Sequence, residues 1–218
     1  MMGPRTFITD RSGSSAAEFA MVLPAVLLGL FAIIDAGGYA WAFNKAEKAT
    51  QVGARWAAVT DMVPSGLATY DFAIDGGVLQ GEPVPLSKFP GISCISTSTA
   101  GSSVTCTYLP GGTPSWSIST VAADATTFRA IVDQMRRVKQ NVGYTNVEVI
   151  YQNSGLGFSG NPDSATVVRP DISPIITVKL RNMTYRPGTL FVLGTAVPLP
   201  SASYSLTMED GQGTIGYH

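Results

Sequence analysis

A long apolar stretch with a carboxylate at its edge constrains this chain more than any other feature. Residues 19–43 contain a single charged residue, Asp35, and Glu18 directly precedes them. As an α-helix these residues would reach about 37 Å, whereas the hydrocarbon core of a bilayer is about 30 Å thick. The stretch is therefore long enough to span a membrane. Because a charge in a spanning helix is costly, Glu18 requires an explanation.

The charges that precede the stretch predict its orientation. Arg5 and Arg11 lie before it, and Asp10 is the only opposing charge before Glu18. Basic residues favour the cytoplasmic side, so we expect the N-terminus in the cytoplasm and the remainder outside. The alternative is a secretory signal peptide cleaved at the small residues of the Ala40-Trp41-Ala42 segment. That alternative leaves Glu18 unexplained.

Three motifs lie along this region: Gly13-Ser14-Ser15-Ala16-Ala17-Glu18-Phe19-Ala20-Met21-Val22-Leu23-Pro24, Ile33-Ile34-Asp35-Ala36-Gly37 and Gly53-Ala54-Arg55. Together they resemble the TadE-like minor pilins, or pseudopilins, of bacterial tight-adherence (Flp-type) pili, over residues 13 to about 59. Asp35 stands where that family more often carries glutamate. The resemblance implies that a prepilin peptidase cuts between Gly13 and Ser14. Glu18 then becomes the fifth mature residue and Phe19 follows it.

The resemblance also implies a location and partners. Such a protein would reside in the bacterial inner membrane with a periplasmic head. It would assemble with other pilins and pilus assembly components, either in the membrane or within a cell-surface pilus. We therefore expect a cytoplasmic leader at residues 1–13, an N-terminal helix at residues 14–60 with its span at about 19–43, and an extracytoplasmic head at residues 61–218.

Beyond the span the helix is expected to continue, because residues 44–59 are rich in alanine and contain no proline. The small residues Ala46, Ala49 and Gly53 recur at helical spacing on one stripe. Small side chains allow another surface to approach closely. That surface is either the protein's own head or a neighbouring subunit.

The pattern of the remaining chain predicts an α+β fold. A second helix is expected at residues 119–142, packed on a mainly antiparallel sheet. Strands are expected at residues 146–152, 175–180 and 203–208. The polar face of the second helix is basic and is either solvated or a patch for a partner; its cations are Arg129, Arg136, Arg137 and Lys139.

The chain contains two cysteines, Cys94 and Cys106. The segment between them has a plausible turn at Ala100-Gly101-Ser102, which predicts a hairpin. In an oxidising compartment a disulfide closing this loop would contribute about 3 kcal/mol in the entropic model. The alternative is a pair of buried free thiols. With no histidine nearby, the pair is not expected to bind a metal.

Composition and motifs disfavour several function classes. The formal net charge is −1 and charged residues make up 13% of the chain, so nucleic acid is not an expected partner. The single histidine, His218, leaves a serine or cysteine nucleophile without its usual base. We therefore expect no enzyme and no cofactor. Two classes remain: a structural pilus assembly protein, and a membrane-anchored or secreted binding module of adhesin-like function.

Overall fold

The computed structural model describes residues 14–112, 114, 123–160, 170–189, 194 and 196–208. The expected leader at residues 1–13 and the first four residues of the expected second helix, 119–122, lie outside the described residues. The elements in chain order are a long helix, two strands, a second helix, a short 3-10 helix and five further strands. This is the α+β fold that the sequence predicts.

The first helix, α1, runs from Ser14 to Val59 and is 46 residues long. Pro24 lies inside it, and a membrane-spanning helix tolerates such a proline better than a soluble helix does. After the helix ends, the Thr60 hydroxyl donates a hydrogen bond to the Trp56 carbonyl, at 2.9 Å. The side chain thus satisfies one of the carbonyls that a helix end leaves without an intrahelical partner.

The chain divides into two units. The first, here called the anchor unit, contains α1 up to Ala42 together with Thr184–Val197. The second, here called the sheet unit, contains Phe43–Met183 and the chain from Pro198 onward. Residues 184–197 therefore belong with the first part of α1, although more than 140 residues separate them in the sequence.

The sheet unit contains a five-stranded antiparallel sheet. Its strands are β1 (Ile92–Ser96), β2 (Val104–Tyr108), β3 (Val147–Gln152), β4 (Ile175–Leu180) and β7 (Ala202–Thr207). Their order in the sheet is β2-β1-β3-β4-β7. Two further short strands, β5 (Thr184–Tyr185) and β6 (Val197–Pro198), form a separate two-stranded sheet. The three strands expected after the second helix are present within one residue of their predicted bounds.

The second helix, α2, runs from Ala125 to Val138, which is shorter than the predicted 119–142. It begins there because the Asp124 carboxylate accepts hydrogen bonds from the Thr126 and Thr127 amides and so caps the helix. It ends because Lys139 has an extended backbone. The chain then turns into a 3-10 helix at Tyr144–Asn146.

The core of the sheet unit lies between the five-stranded sheet and two helical segments, α2 and the C-terminal part of α1. One face of α2 is fully buried, with Phe128, Ile131, Val132 and Met135. Alternate residues of β3 are also buried, as expected for a strand with one face on a core. The C-terminal part of α1 contributes Ala46, Ala49 and the buried glycine Gly53 to the same core. The predicted stripe of small residues is therefore used within the protein's own head.

Candidate membrane-anchoring and assembly segment

The N-terminal part of α1 presents a continuous apolar surface. Its best 18-residue window has a mean hydropathy of 2.3, and none of that window is buried. Large side chains are well exposed along it, including Phe19 at 65%, Met21 at 81% and Ile33 at 72%. A soluble monomer rarely exposes so much contiguous apolar surface. Length and composition together suggest that this part of the helix anchors the protein in a membrane.

The residues of the expected processing and assembly site lie at the start of this surface. Ser14 is the first described residue of α1, and Gly13 lies outside the described part of the chain. Glu18 and Phe19 are both exposed. The apolar surface begins immediately after Glu18.

Asp35, the charged residue within the apolar stretch, is buried. Its Oδ1 accepts hydrogen bonds from the Gly188 amide at 2.8 Å and from the Thr189 amide at 3.1 Å. Its Oδ2 accepts a hydrogen bond from the Thr189 hydroxyl, also at 2.8 Å. The segment that supplies these donors, residues 184–189, is called the clasp here. The clasp gives a carboxylate in an apolar helix the donors that it needs away from water.

Further contacts hold the clasp on the helix. The Tyr185 ring meets the Tyr39 ring edge-on, with centroids 5.9 Å apart. The Thr189 hydroxyl also lies 3.1 Å from the Phe31 carbonyl oxygen. A Cβ atom added at Gly38 would collide with the Tyr185 hydroxyl. Glycine at this position therefore lets the clasp approach the helix closely.

Sequence reasoning found Asp35 but missed the clasp. A carboxylate inside an apolar stretch indicates that another part of the protein supplies hydrogen-bond donors to it. Two consecutive backbone amides after a proline can supply them, as they do at Gly188 and Thr189. No local pattern, however, connects positions that are more than 150 residues apart.

The two cysteines lie directly opposite each other on β1 and β2 and are joined in a disulfide. Both are buried. The predicted pairing of Cys94 and Cys106 is therefore confirmed, and the alternative of two free thiols does not hold. The turn between the strands is also where it was expected, since Gly101 has a φ of +70°, a backbone conformation that favours glycine.

The basic face of α2 is engaged within the sheet unit only in part. The Arg136 guanidinium lies 3.9 Å from the centre of the Tyr144 ring and also contacts the Asp133 carboxylate, at 3.2 Å. Lys139 is buried, and that burial, together with the nearby Lys45, lowers the pKa of its ammonium group. Arg129 and Arg137 are exposed. Among the described residues no group of three or more His, Cys, Asp or Glu side chains is placed to hold a metal ion.

These features define a class of protein: a long apolar anchor helix followed by a disulfide-linked α+β head. Residues 13–55 match the family model of TadE-like proteins. The match begins at Gly13 and includes Glu18, Asp35 and the Gly53-Ala54-Arg55 motif, so the resemblance seen in the sequence is confirmed for this segment. This match supports the interpretation that the protein is associated with a tight-adherence pilus. No curated protein and no solved structure matches the chain.

Proposed function

We propose that this protein is a minor pilin, or pseudopilin, of a tight-adherence-type pilus, and that it acts by assembly rather than by catalysis. One observation carries the proposal. The exposed apolar surface of α1 begins directly after Glu18, and Glu18 is the fifth residue after Gly13, all within the TadE-like segment. In this proposal a prepilin peptidase removes residues 1–13, and the mature helix then packs with other pilins and assembly components.

The residues around the cut suit such processing. Gly13 has no side chain, and Ser14 to Ala17 are small, so side chains at the cut would not obstruct entry into a narrow active site. The disulfide between Cys94 and Cys106 supports an oxidising compartment for the head. With the basic N-terminus in the cytoplasm, the proposed location is the inner membrane with a periplasmic head.

Glu18 is proposed to act in assembly. After cleavage, Ser14 would carry an α-amino group that is positive at neutral pH. Inside a bundle of apolar helices, either charge alone would pay a large desolvation cost. When Glu18 of one subunit pairs with the amino terminus of a neighbour, each charge offsets much of that cost. The exposed position of Glu18 on the single chain allows such a contact.

The test replaces Glu18 with valine. We expect Glu18→Val to be cleaved after Gly13 as the wild type is, but to lose co-isolation with the other pilus components. The matched control is Glu47→Val, which removes another exposed glutamate from the same helix and should co-isolate normally. Membrane extraction, affinity capture and mass spectrometry of the captured proteins provide the measurement.

Normal co-isolation and normal pilus formation by Glu18→Val would show that Glu18 has no pairing role. The assembly proposal would then lose its main physical support. An equal loss of co-isolation in Glu18→Val and Glu47→Val would also contradict the assembly proposal. The loss would then follow from removing any charge on the helix.

The alternative function is a membrane-anchored binding module of adhesin-like type. A groove of about 650 Å³ on the sheet unit favours it, with Leu79, Pro83, Pro85 and Leu86 in its lining. Leu79 and Leu86 are well exposed there, as in many surfaces that bind a partner. A head that binds a surface ligand in a strain lacking the other pilus components would favour this alternative over assembly.

A further inference from the structure

We propose that the clasp, together with Tyr39 and Trp41, forms a surface that binds the phosphate-bearing headgroup layer on the outer side of the membrane. This inference rests on the membrane anchoring of α1 but not on cleavage at Gly13 or on pilus assembly. The occupant is the lipid bilayer itself. All of the residues involved belong to the anchor unit.

The run of exposed large aliphatic side chains on α1 ends at Ile34, and the next residue is the buried Asp35. From Phe19, where the apolar surface begins, to Ile34 the helix rises about 24 Å, which fits within the roughly 30 Å hydrocarbon core. Asp35 carries a charge that would be costly inside that core, and its hydrogen-bond donors lie on the clasp. We therefore place the outer edge of the hydrocarbon near Ile34.

The backbone of the clasp gives a second limit on how deep this segment can lie in the membrane. Arg186 and Gly188 are exposed and neither lies in a helix or a strand. Irregular backbone exposed to lipid is not found within the hydrocarbon core. The clasp bonds to Asp35 and contacts Gly38 and Tyr39, which lie about 2–8 Å beyond Ile34 along the helix axis. The headgroup layer on each side is about 5–8 Å thick, so the clasp falls within it.

The side chains around this level suit a headgroup layer. Trp41 is 62% exposed, and Tyr39 and Tyr185 pack edge-on beside the clasp. Trp and Tyr side chains concentrate at membrane interfaces, where their rings meet both apolar and polar surroundings. The exposed Arg186 adds a guanidinium group, which binds phosphate oxygens in a bidentate manner. The carboxylate at this level, Asp35, is buried and accepts hydrogen bonds from the amides and the hydroxyl of the clasp.

Depth-dependent fluorescence quenching in vesicles tests the proposal. The full chain is reconstituted in phosphatidylcholine–phosphatidylglycerol vesicles, with a fluorophore on one introduced cysteine. Because Cys94 and Cys106 are joined, the introduced thiol is the one that reacts. Three variants are compared: Ile33→Cys on the apolar surface, Pro187→Cys on the clasp and Glu82→Cys on an exposed loop of the sheet unit. Position 187 is chosen because it leaves the Arg186 guanidinium in place.

We expect quenchers deep in the acyl chains to act on position 33 and quenchers at the headgroups to act on position 187, while position 82 is quenched by neither. A position 187 that behaves like position 82 would place the clasp in water and overturn the proposal. A position 187 that behaves like position 33 would place it in the hydrocarbon and overturn it as well.

A second comparison tests the role of Asp35. Thr189→Val keeps the shape of the side chain and removes the hydroxyl bonded to Asp35, and Asp35→Ala removes the acceptor entirely. Headgroup quenching at position 187 should fall in Thr189→Val and fall further in Asp35→Ala, with quenching at position 33 unchanged. Quenching at position 187 that is unaffected in both variants would show that the Asp35 bonds do not hold the clasp at the headgroups.

Discussion

Single buried polar side chains connect parts of the head that are far apart in the sequence. The hydroxyl of the fully buried Tyr151 accepts a hydrogen bond from the Val63 amide at 3.0 Å. The pKa of that hydroxyl is raised because burial disfavours the phenolate. The buried Asp171 carboxylate similarly accepts hydrogen bonds from the Phe72 and Gly160 amides. Each side chain satisfies backbone donors that its loops would otherwise bury without a partner.

Asp124 offers a test at the residue scale because it caps α2. Burial of its carboxyl acts to raise its pKa, but hydrogen bonds from the Thr127 hydroxyl and from the Thr126 and Thr127 amides prevail, and the pKa is lowered. Asp124→Ala should lower the free energy of unfolding by about 1 kcal/mol at neutral pH. Chemical denaturation of the full chain in detergent micelles, followed by near-UV circular dichroism, measures the loss.

The difference in the free energy of unfolding between wild type and Asp124→Ala depends on pH, and the direction of the Asp124 pKa shift predicts how. A carboxylate with a lowered pKa in the folded state stabilises the fold above its unfolded pKa, about 3.9. That contribution is lost as the pH falls through the folded value. The difference between wild type and Asp124→Ala should therefore be constant near neutral pH and shrink below about pH 4. A difference that grows on acidification would contradict the cap assignment, and Asp124→Asn, whose amide oxygen can still accept from the helix amides, should show a smaller loss that falls over the same pH range.

At the scale of elements, α1 has two parts with different surfaces. Up to Ile34 its large apolar side chains are exposed, whereas from Ala46 to Ala58 its small side chains are buried in the sheet unit. The apolar surface suits lipid or neighbouring helices, and the alanine-rich surface suits close contact with its own head. One continuous helix thus carries both the anchor and part of the core.

Gly53 tests the second of these surfaces. A Cβ atom added there would lie 2.8 Å from Met135 Cγ and 3.3 Å from Val178 Cγ1. We expect Gly53→Val to overpack the contact and destabilise the sheet unit by about 1–3 kcal/mol. The control is Gly37→Val on the same helix, where an added Cβ meets nothing within 4 Å. Denaturation curves of the two variants should differ; equal stability would contradict close contact at Gly53.

The β1–β2 hairpin gives a second test at this scale. Since Cys94 and Cys106 are joined, alkylation of the mature protein without prior reduction should label neither. Replacing both with serine should lower the free energy of unfolding by about 3 kcal/mol, because the crosslink restricts the unfolded chain. Quantitative labelling of both thiols in protein taken from membranes would contradict the disulfide and weaken the case for a periplasmic head.

At the scale of the whole molecule, patterns within short stretches predicted the fold well. The apolar stretch and its alanine-rich continuation predicted α1, alternating residues predicted β3, and the turn at Ala100-Gly101-Ser102 predicted the hairpin. Strands were also expected close to the bounds of β4 and β7. The start of α2 was predicted too early, because Asp124 rather than the apolar period determines it. The clasp and the short β5–β6 sheet were missed, because they depend on contacts between distant residues. At the assembly segment the sequence indicated Glu18 and Asp35 but not the donors to Asp35.

The mature N-terminus tests the central claim, that this chain is a processed pilin, most directly. Intact-mass measurement of protein extracted from membranes of its native host should show a chain that has lost residues 1–13 and begins at Ser14. Deletion of the prepilin peptidase should restore the longer form. A mature chain beginning at Phe43 would contradict the account in favour of a cleaved signal peptide, and a chain that keeps residues 1–13 with the peptidase present would contradict processing altogether.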